Sequence, residues 1–125
     1  KKEGYEIWNG NTDAQLAYAT ALIYVGKGEQ SEAILGDAKN NPTAYDNRIL
    51  NAYGTKGRQD KVIALVNEKI VQGNATSRDY LLLARGYAEL GQKQNAIAAV
   101  EKAMNIDPSL KDQGEAFIEE IKKGK

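Results

Sequence analysis

The sequence of 125 residues contains no histidine and no cysteine. Without histidine the chain has no imidazole to activate a serine nucleophile, to shuttle protons near neutral pH or to bind a metal ion. Without cysteine it has no disulfide, no thiolate nucleophile and no structural zinc or iron–sulfur cluster. We therefore predict no metal and no cofactor. Two classes remain, namely enzymes that use carboxylates or lysines and proteins that act by binding.

An excess of charge of either sign is also lacking, because 17 Lys and Arg residues balance 17 Asp and Glu residues. A dedicated nucleic-acid binder usually carries a basic excess, so this balance argues against nucleic acid as the partner. Long apolar runs are absent too, since none approaches the roughly 20 residues of a membrane-spanning helix. We therefore predict no membrane insertion for this stretch of chain.

The start of the sequence gives no targeting signal. Its first residues, Lys1-Lys2-Glu3, include no initiator methionine and lead into no apolar signal segment. This pattern predicts excision from a longer chain. It leaves both a cytoplasmic and an extracytoplasmic compartment open.

The most prominent feature of the sequence is a set of internal repeats. Residues 34 apart match between the middle and the last third of the chain, namely Ile49 with Leu83, Tyr53 with Tyr87, Gly57 with Gly91, and Ile63 with Ile97. An offset of 29 relates the first third to the middle, matching Tyr24 with Tyr53, Gly28 with Gly57, and Ile34 with Ile63. We predict three copies of one unit, of which the first is five residues short.

Each copy has the pattern of two helices. In the last copy, apolar residues recur at i, i+3, i+4 and i+7 from Tyr80, which is typical of one face of a helix. Thr76 followed by Asp79 predicts a capping box at its start, and Gly91 predicts its end. A second apolar stripe runs from Ala96 and stops before Asp107-Pro108, where proline can open the next helix but not extend the last.

The last copy carries the full motif of a known repeat family, made of Tyr80, Leu83, Ala84, Tyr87, Ala96, Val100, Ala103 and Pro108. In these residues and their spacing it resembles the tetratricopeptide repeat. The resemblance implies an all-α fold of helix-turn-helix repeats stacked as a short right-handed superhelix. We place three units at 13–42, 43–76 and 77–108, a capping helix and tail at 109–125, and an arm or the end of a preceding helix at 1–12.

The second copy departs from the family pattern at several positions. Asp46 replaces the first aromatic residue, Lys69 replaces a small residue, and Asn74 replaces the proline. Beyond the repeats, the helix after Pro108 is amphipathic, as the end cap of a repeat stack should be. Gly114 weakens this helix by about 1 kcal/mol relative to alanine, but a glycine also permits close packing.

The acidic residues, serines and glycines of the sequence do not form a recognisable catalytic arrangement. Glu119 and Glu120 are adjacent and point about 100° apart on a helix, so they cannot share a substrate. Ser31, Ser77 and Ser109 lie near predicted helix starts, where serine usually caps. No glycine-rich phosphate loop is present. We predict that the chain is not an enzyme.

The family resemblance implies a concave groove lined by the first helix of each repeat. The residues it places there are Tyr18, Leu22, Asn47, Asn51, Arg78, Leu81, Arg85 and Glu89. The two asparagines can hydrogen-bond a peptide backbone, and the two arginines suit a carboxylate in bidentate geometry. Some family members clamp the C-terminal carboxylate of a peptide with Lys, Asn and Arg, and this sequence lacks the matching Lys. Alternatively, these polar residues are ordinary solvated side chains, and Tyr5, Ile7 and Trp8 cover the apolar end.

We therefore predict a non-catalytic scaffold or adaptor whose partner is a protein or peptide bound in the groove. One alternative is a C-terminal appendage of a larger bacterial envelope or membrane protein, such as a polysaccharide ligase or polymerase. Another is an assembly module that self-associates through exposed end faces.

Overall fold

A computed structural model describes residues 12–123 of the chain. Within that range it has no strand, and its seven α-helices confirm the predicted all-α class. They are α1 (Thr12–Tyr24), α2 (Gly28–Leu35), α3 (Asn47–Thr55), α4 (Gln59–Val71), α5 (Ser77–Glu89), α6 (Lys93–Ile106) and α7 (Lys111–Lys122). Short 3-10 helices, Pro42–Tyr45 and Pro108–Leu110, precede α3 and α7. The predicted arm at 1–12, with Tyr5 and Trp8, lies almost entirely outside the described residues.

The chain divides into two compact units, Lys1–Arg58 and Gln59–Lys125, and the division falls inside the second predicted repeat. In the first unit α1 packs against both α2 and α3. The core of this unit is Leu16, Ala19, Leu22, Ile23, Leu35, Ala44, Tyr45, Ile49, Leu50, Ala52 and Tyr53, all buried. The amide of Gln15 donates to the Ile34 carbonyl at 3.1 Å and ties α1 to α2.

The first repeat has a different register from the one that sequence matching predicts. Gly57 and Gly91 have the positive φ angles, 75° and 78°, of the residue that ends a helix, and their counterpart is Gly26 at 83°. Gly28 is the first residue of α2, where a Cβ would lie 3.2 Å from the Tyr53 ring. The offset is therefore 31, not 29. The pairing of Gly28 with Gly57 was wrong, because two glycines with different roles lie two residues apart.

The corrected register shows where the first repeat is shortened. The offset of 31 is three residues below 34, and α2 has 8 residues, whereas α4 has 13. Under it, Leu35 matches Val66 and Val100, and all three are buried. The shortening therefore removes the last turn or more of the second helix of the repeat and leaves its core position in place.

The serine positions differ from the predicted caps. Ser31 lies inside α2, and the N-cap of α5 is Thr76, one residue before Ser77. Ser109 lies within a 3-10 helix whose capping side chain is Asp107. The capping roles predicted for these serines were wrong. The accepting oxygen comes from Thr76 in place of Ser77 and from Asp107 in place of Ser109.

Ser31 occupies a core position that matches Val62 and Ala96 in the other repeats. Its hydroxyl is buried and makes no hydrogen bond among the described residues. A buried hydroxyl without a partner costs about 1–3 kcal/mol, whereas alanine has no polar group to satisfy. We expect Ser31→Ala to raise the free energy of unfolding by about 1 kcal/mol in denaturant titrations. A loss of stability would contradict the burial of this hydroxyl without a partner.

Asp46, a departure from the family pattern, has a structural role. Its side chain accepts from the backbone N–H of Arg48 at 2.9 Å and caps α3. The helix therefore begins at Asn47, about one turn later in its repeat than α5 does, and the 3-10 helix Pro42–Tyr45 precedes it in place of that turn.

In the second unit α5 packs against α4 and α6, and α7 packs against α6. The core of this unit is Val62, Val66, Leu83, Ala84, Ala96, Ala99, Val100, Ala103 and Ile121. Gly114 on α7 is buried, and a Cβ there would lie 2.5 Å from the Met104 sulfur on α6. The expected close approach at this glycine is therefore confirmed.

Candidate binding surface

Helix α5 carries four of the predicted site residues. A capping box fixes its start, as predicted, because Thr76 accepts from the Asp79 N–H and Asp79 accepts from the Thr76 N–H. Leu83 and Ala84 are buried on one side of the helix. Since residues 78, 81 and 85 fall within about 60° of one another on the helical wheel, they share a different face.

The start of α5 is anchored to α4 by a buried ion pair. Lys69 Nζ lies 2.8 Å from Asp79 Oδ2, and only 13% of the lysine and 3% of the aspartate side chain are exposed. Asp79 Oδ2 also accepts from the Thr76 N–H at 2.9 Å and from its hydroxyl at 3.1 Å. Lys69, which stands where the family usually has a small residue, therefore neutralises the residue that caps the next helix.

The end of α5 is held by a second contact to α4. The amide of Gln59, itself buried, donates to Glu89 Oε1 at 2.9 Å. The other carboxylate oxygen of Glu89 lies 3.5 Å from Arg85 Nε. The two helices come close here because Gly86 has no side chain, and a Cβ there would lie 3.2 Å from Ile63. Glu89 therefore accepts from a buried amide and also lies beside the guanidinium of Arg85 in an exposed ion pair.

The exposed surface of α5 carries two arginines around an apolar centre, with Glu89 beside Arg85 at its C-terminal end. Arg78 is exposed and makes no hydrogen bond or ion pair within residues 12–123. The Arg85 side chain is 72% exposed, and Leu81 between them is half-buried. Arg85 follows Arg78 by seven positions, which places their Cα atoms about 10 Å apart along the helix axis. This face can bind an anionic group at each end and an apolar group between them.

In the first unit, two of the predicted residues share a surface. Asn47 and Asn51 are exposed on α3, four residues apart and therefore on one face. Arg48, between them in sequence, pairs with Asp46 and Asp13 at 3.5 and 3.8 Å. The amides of the two asparagines are available for hydrogen bonds to a peptide backbone.

The other two predicted residues of this unit are placed differently from the expectation. Leu22 is only 6% exposed, so its side chain does not line an open surface. The reason is the register, because an offset of 31 matches Leu22 with the buried Tyr53. Tyr18 is 47% exposed, but the same offset matches it with the buried Ile49 rather than with a groove position.

The sequence did not indicate the contacts that Gln59 and Lys69 make with α5, and it predicted Asp79 only as part of the capping box; these three residues position the α5 surface without being part of it. A signal existed for Lys69, since a lysine at a small-residue position needs a partner. None existed for Gln59. Among residues 12–123 no cluster of three or more Asp or Glu side chains is arranged to hold a metal ion. In the same range no helix is long and apolar enough to cross a membrane.

Comparisons with known proteins give one distant similarity. No protein family matches the chain, and no solved structure matches it. The chain is similar to a mitochondrial pentatricopeptide repeat-containing protein of Arabidopsis thaliana, with 25% identity over 97 residues. The match covers 74% of this chain but 20% of that protein, so the chain spans about a fifth of its relative's length. Pentatricopeptide repeats are helical, and the similarity agrees with a helical-repeat protein.

Proposed function

We propose that the chain is a non-catalytic helical-repeat module of the tetratricopeptide type that binds a protein segment. The 34-residue spacing of Gly57 and Gly91, both with positive φ, supports this type because 34 is the period of that family. The observation that carries the binding role is the exposed face of α5. There two arginines flank Leu81 on a helix whose opposite side is fixed in the core.

The chemistry of this face favours an anionic peptide as the partner. A guanidinium binds a carboxylate through two parallel hydrogen bonds, and both Arg78 and Arg85 are exposed on this face. An ordered helix loses little conformational entropy on binding, which favours affinity. In the first unit, Asn47 and Asn51 offer backbone-type hydrogen bonds to the same class of ligand.

A peptide-display selection tests this proposal without knowledge of the natural partner. We expect selected peptides to carry acidic residues or to bind through a free C-terminal carboxylate. For such a peptide Arg85→Glu should weaken binding by about tenfold or more, because it places like charges together in the contact. The helical circular dichroism should not change, since Arg85 is exposed.

Lys102→Glu supplies the matched control. It makes the same change of net charge at an exposed lysine of α6 in the same unit. Equal loss of affinity in both variants would show that net charge, rather than the α5 face, drives binding. Unchanged affinity in Arg85→Glu would remove α5 from the binding site.

RNA is a second candidate partner, and the similarity to a pentatricopeptide repeat-containing protein is the observation that favours it. Repeats of that type read about one base per helical repeat with two or three side chains. The zero net charge is unfavourable, because phosphate contacts supply most of such affinity. Binding of a random oligoribonucleotide pool with steep salt dependence would favour RNA over peptide.

A further inference from the structure

The exposed face of α5 has the arrangement of a surface on which another helix packs. Leu81 and Leu82 lie between Arg78 and Arg85, and both leucines are half-buried, so each keeps apolar surface in contact with water. The four residues stand at i, i+3, i+4 and i+7 and are therefore neighbours on the helix surface. Four neighbours of this kind form a hole that accepts one side chain of a helix packed alongside. We call these four residues the α5 hole.

The spacing of the two arginines also distinguishes a helical partner from an extended one. The Cα atoms of Arg78 and Arg85 lie about 10 Å apart along α5, and two acidic residues seven positions apart on a partner helix have the same separation. In an extended chain, the side chains on one face recur every second residue, at about 7 and 14 Å. A helix therefore aligns one acidic residue with each arginine, whereas an extended segment does not.

A second copy of this chain fits the α5 hole poorly. Among residues 12–123, α7 is the helix that exposes two acidic residues seven positions apart, Asp112 and Glu119. The positions midway between them hold Glu115 and Ala116, so α7 has no large apolar side chain there to enter the hole. Lys122 follows Glu119 by three positions on the same exposed side and would repel the arginines. The chemistry of the face therefore favours a helix of a different protein.

We propose that the α5 hole binds an amphipathic helix of another protein, which carries two acidic residues seven positions apart and a large apolar residue midway between them. This inference rests on the proposed peptide-binding function of α5 and specifies the conformation and spacing of the partner. The acidic residues pair with Arg78 and Arg85, and the apolar side chain packs between Leu81 and Leu82. Burial of this apolar contact supplies affinity that exposed ion pairs alone do not.

Charge exchange with a display-selected acidic peptide measures the spacing directly. Arg78→Glu and Arg85→Glu should each weaken binding about tenfold or more, and lysine in place of the opposing acidic residue of the peptide should restore it. We expect each variant to be restored at a different peptide position, and the two positions to lie seven residues apart. Lys102→Glu, the control, should leave the affinity of the unmodified peptide unchanged.

A proline in the peptide tests the helical conformation independently. It is placed between the two acidic residues at a position that faces away from α5, where it interrupts a helix without removing a contact. Relative to alanine at the same position, proline should weaken binding about a hundredfold. Equal affinity of the proline and alanine peptides would overturn the proposal.

The remaining outcomes separate this proposal from the function on which it rests. Restoring positions two or four residues apart would show an extended ligand, which overturns the helical partner but leaves the proposed function intact. Absence of any acidic peptide that binds α5 would overturn both. Self-association of the chain alone that is abolished by Arg85→Glu and by Glu119→Lys would place α7 of a second copy on the α5 hole, and would overturn the proposal as well.

Discussion

Replacing Lys69 with methionine is expected to lower the free energy of unfolding by about 3–5 kcal/mol. The substitution leaves the Asp79 carboxylate, whose side chain is 3% exposed, without its cation at 2.8 Å. An uncompensated buried charge is far more destabilising than the loss of an exposed pair, which costs about 0–1 kcal/mol. Denaturant unfolding followed by far-ultraviolet circular dichroism measures the difference.

Two further variants separate this pair from a general effect of charge. Lys102→Met removes an exposed lysine and should change stability by less than about 0.5 kcal/mol. Combining Lys69→Met with Asp79→Leu removes both charges and should recover most of the loss. The remaining deficit is about 1 kcal/mol, from the lost capping box. A loss below 1 kcal/mol in Lys69→Met alone would show that the pair is solvated.

Gly114→Leu is expected to destabilise the second unit by about 3 kcal/mol. A Cβ at this position would already lie 2.5 Å from the Met104 sulfur and 3.2 Å from Val100 on α6. A leucine fits there only if the Met104 side chain is displaced and α7 shifts from Val100 on α6, which loosens the packing around the buried Ile121. Thermal and denaturant unfolding measure the loss.

Ala116→Leu is the control for Gly114→Leu, because it adds a leucine at an exposed position of the same helix. It should have an effect of less than about 0.5 kcal/mol. If Gly114→Leu were as stable as Ala116→Leu, the close packing of α7 on α6 would be contradicted.

The sequence predicted the helical architecture well where the signals are local. Thr76 with Asp79, Gly91, and Asp107 with Pro108 each mark a helix boundary through nearby backbone groups, and the helix ends lie where these residues place them. Such signals act over three or four residues, so they are readable in a single sequence.

The register of the first repeat was not readable in this way. Gly26 and Gly28 lie two residues apart, and only the backbone shows which of them has the left-handed conformation. The register error of two residues moved the whole predicted surface of α1. Each residue advances a helix by about 100°, so an error of two residues corresponds to a rotation of about 200°. For this reason Leu22 was expected on the surface and is in the core.

Side-chain contacts between different helices could not be predicted from the sequence either. Lys69 with Asp79 and Gln59 with Glu89 involve side chains on α4 and α5, and neither pair follows a spacing rule within one helix. The exposed face of α5 could be predicted, because it lies on the side of the helix opposite a strong apolar stripe. The contacts of Glu89 with both Gln59 and Arg85 could be found only in the structure.

The most direct test of the binding role is an amide chemical-shift map of the chain titrated with a display-selected acidic peptide. We predict that the largest shifts fall on α5 around Arg78, Leu81 and Arg85, and that they disappear in Arg85→Glu. Shifts confined to other helices would contradict it. So would binding of an oligoribonucleotide pool with no binding of any selected peptide.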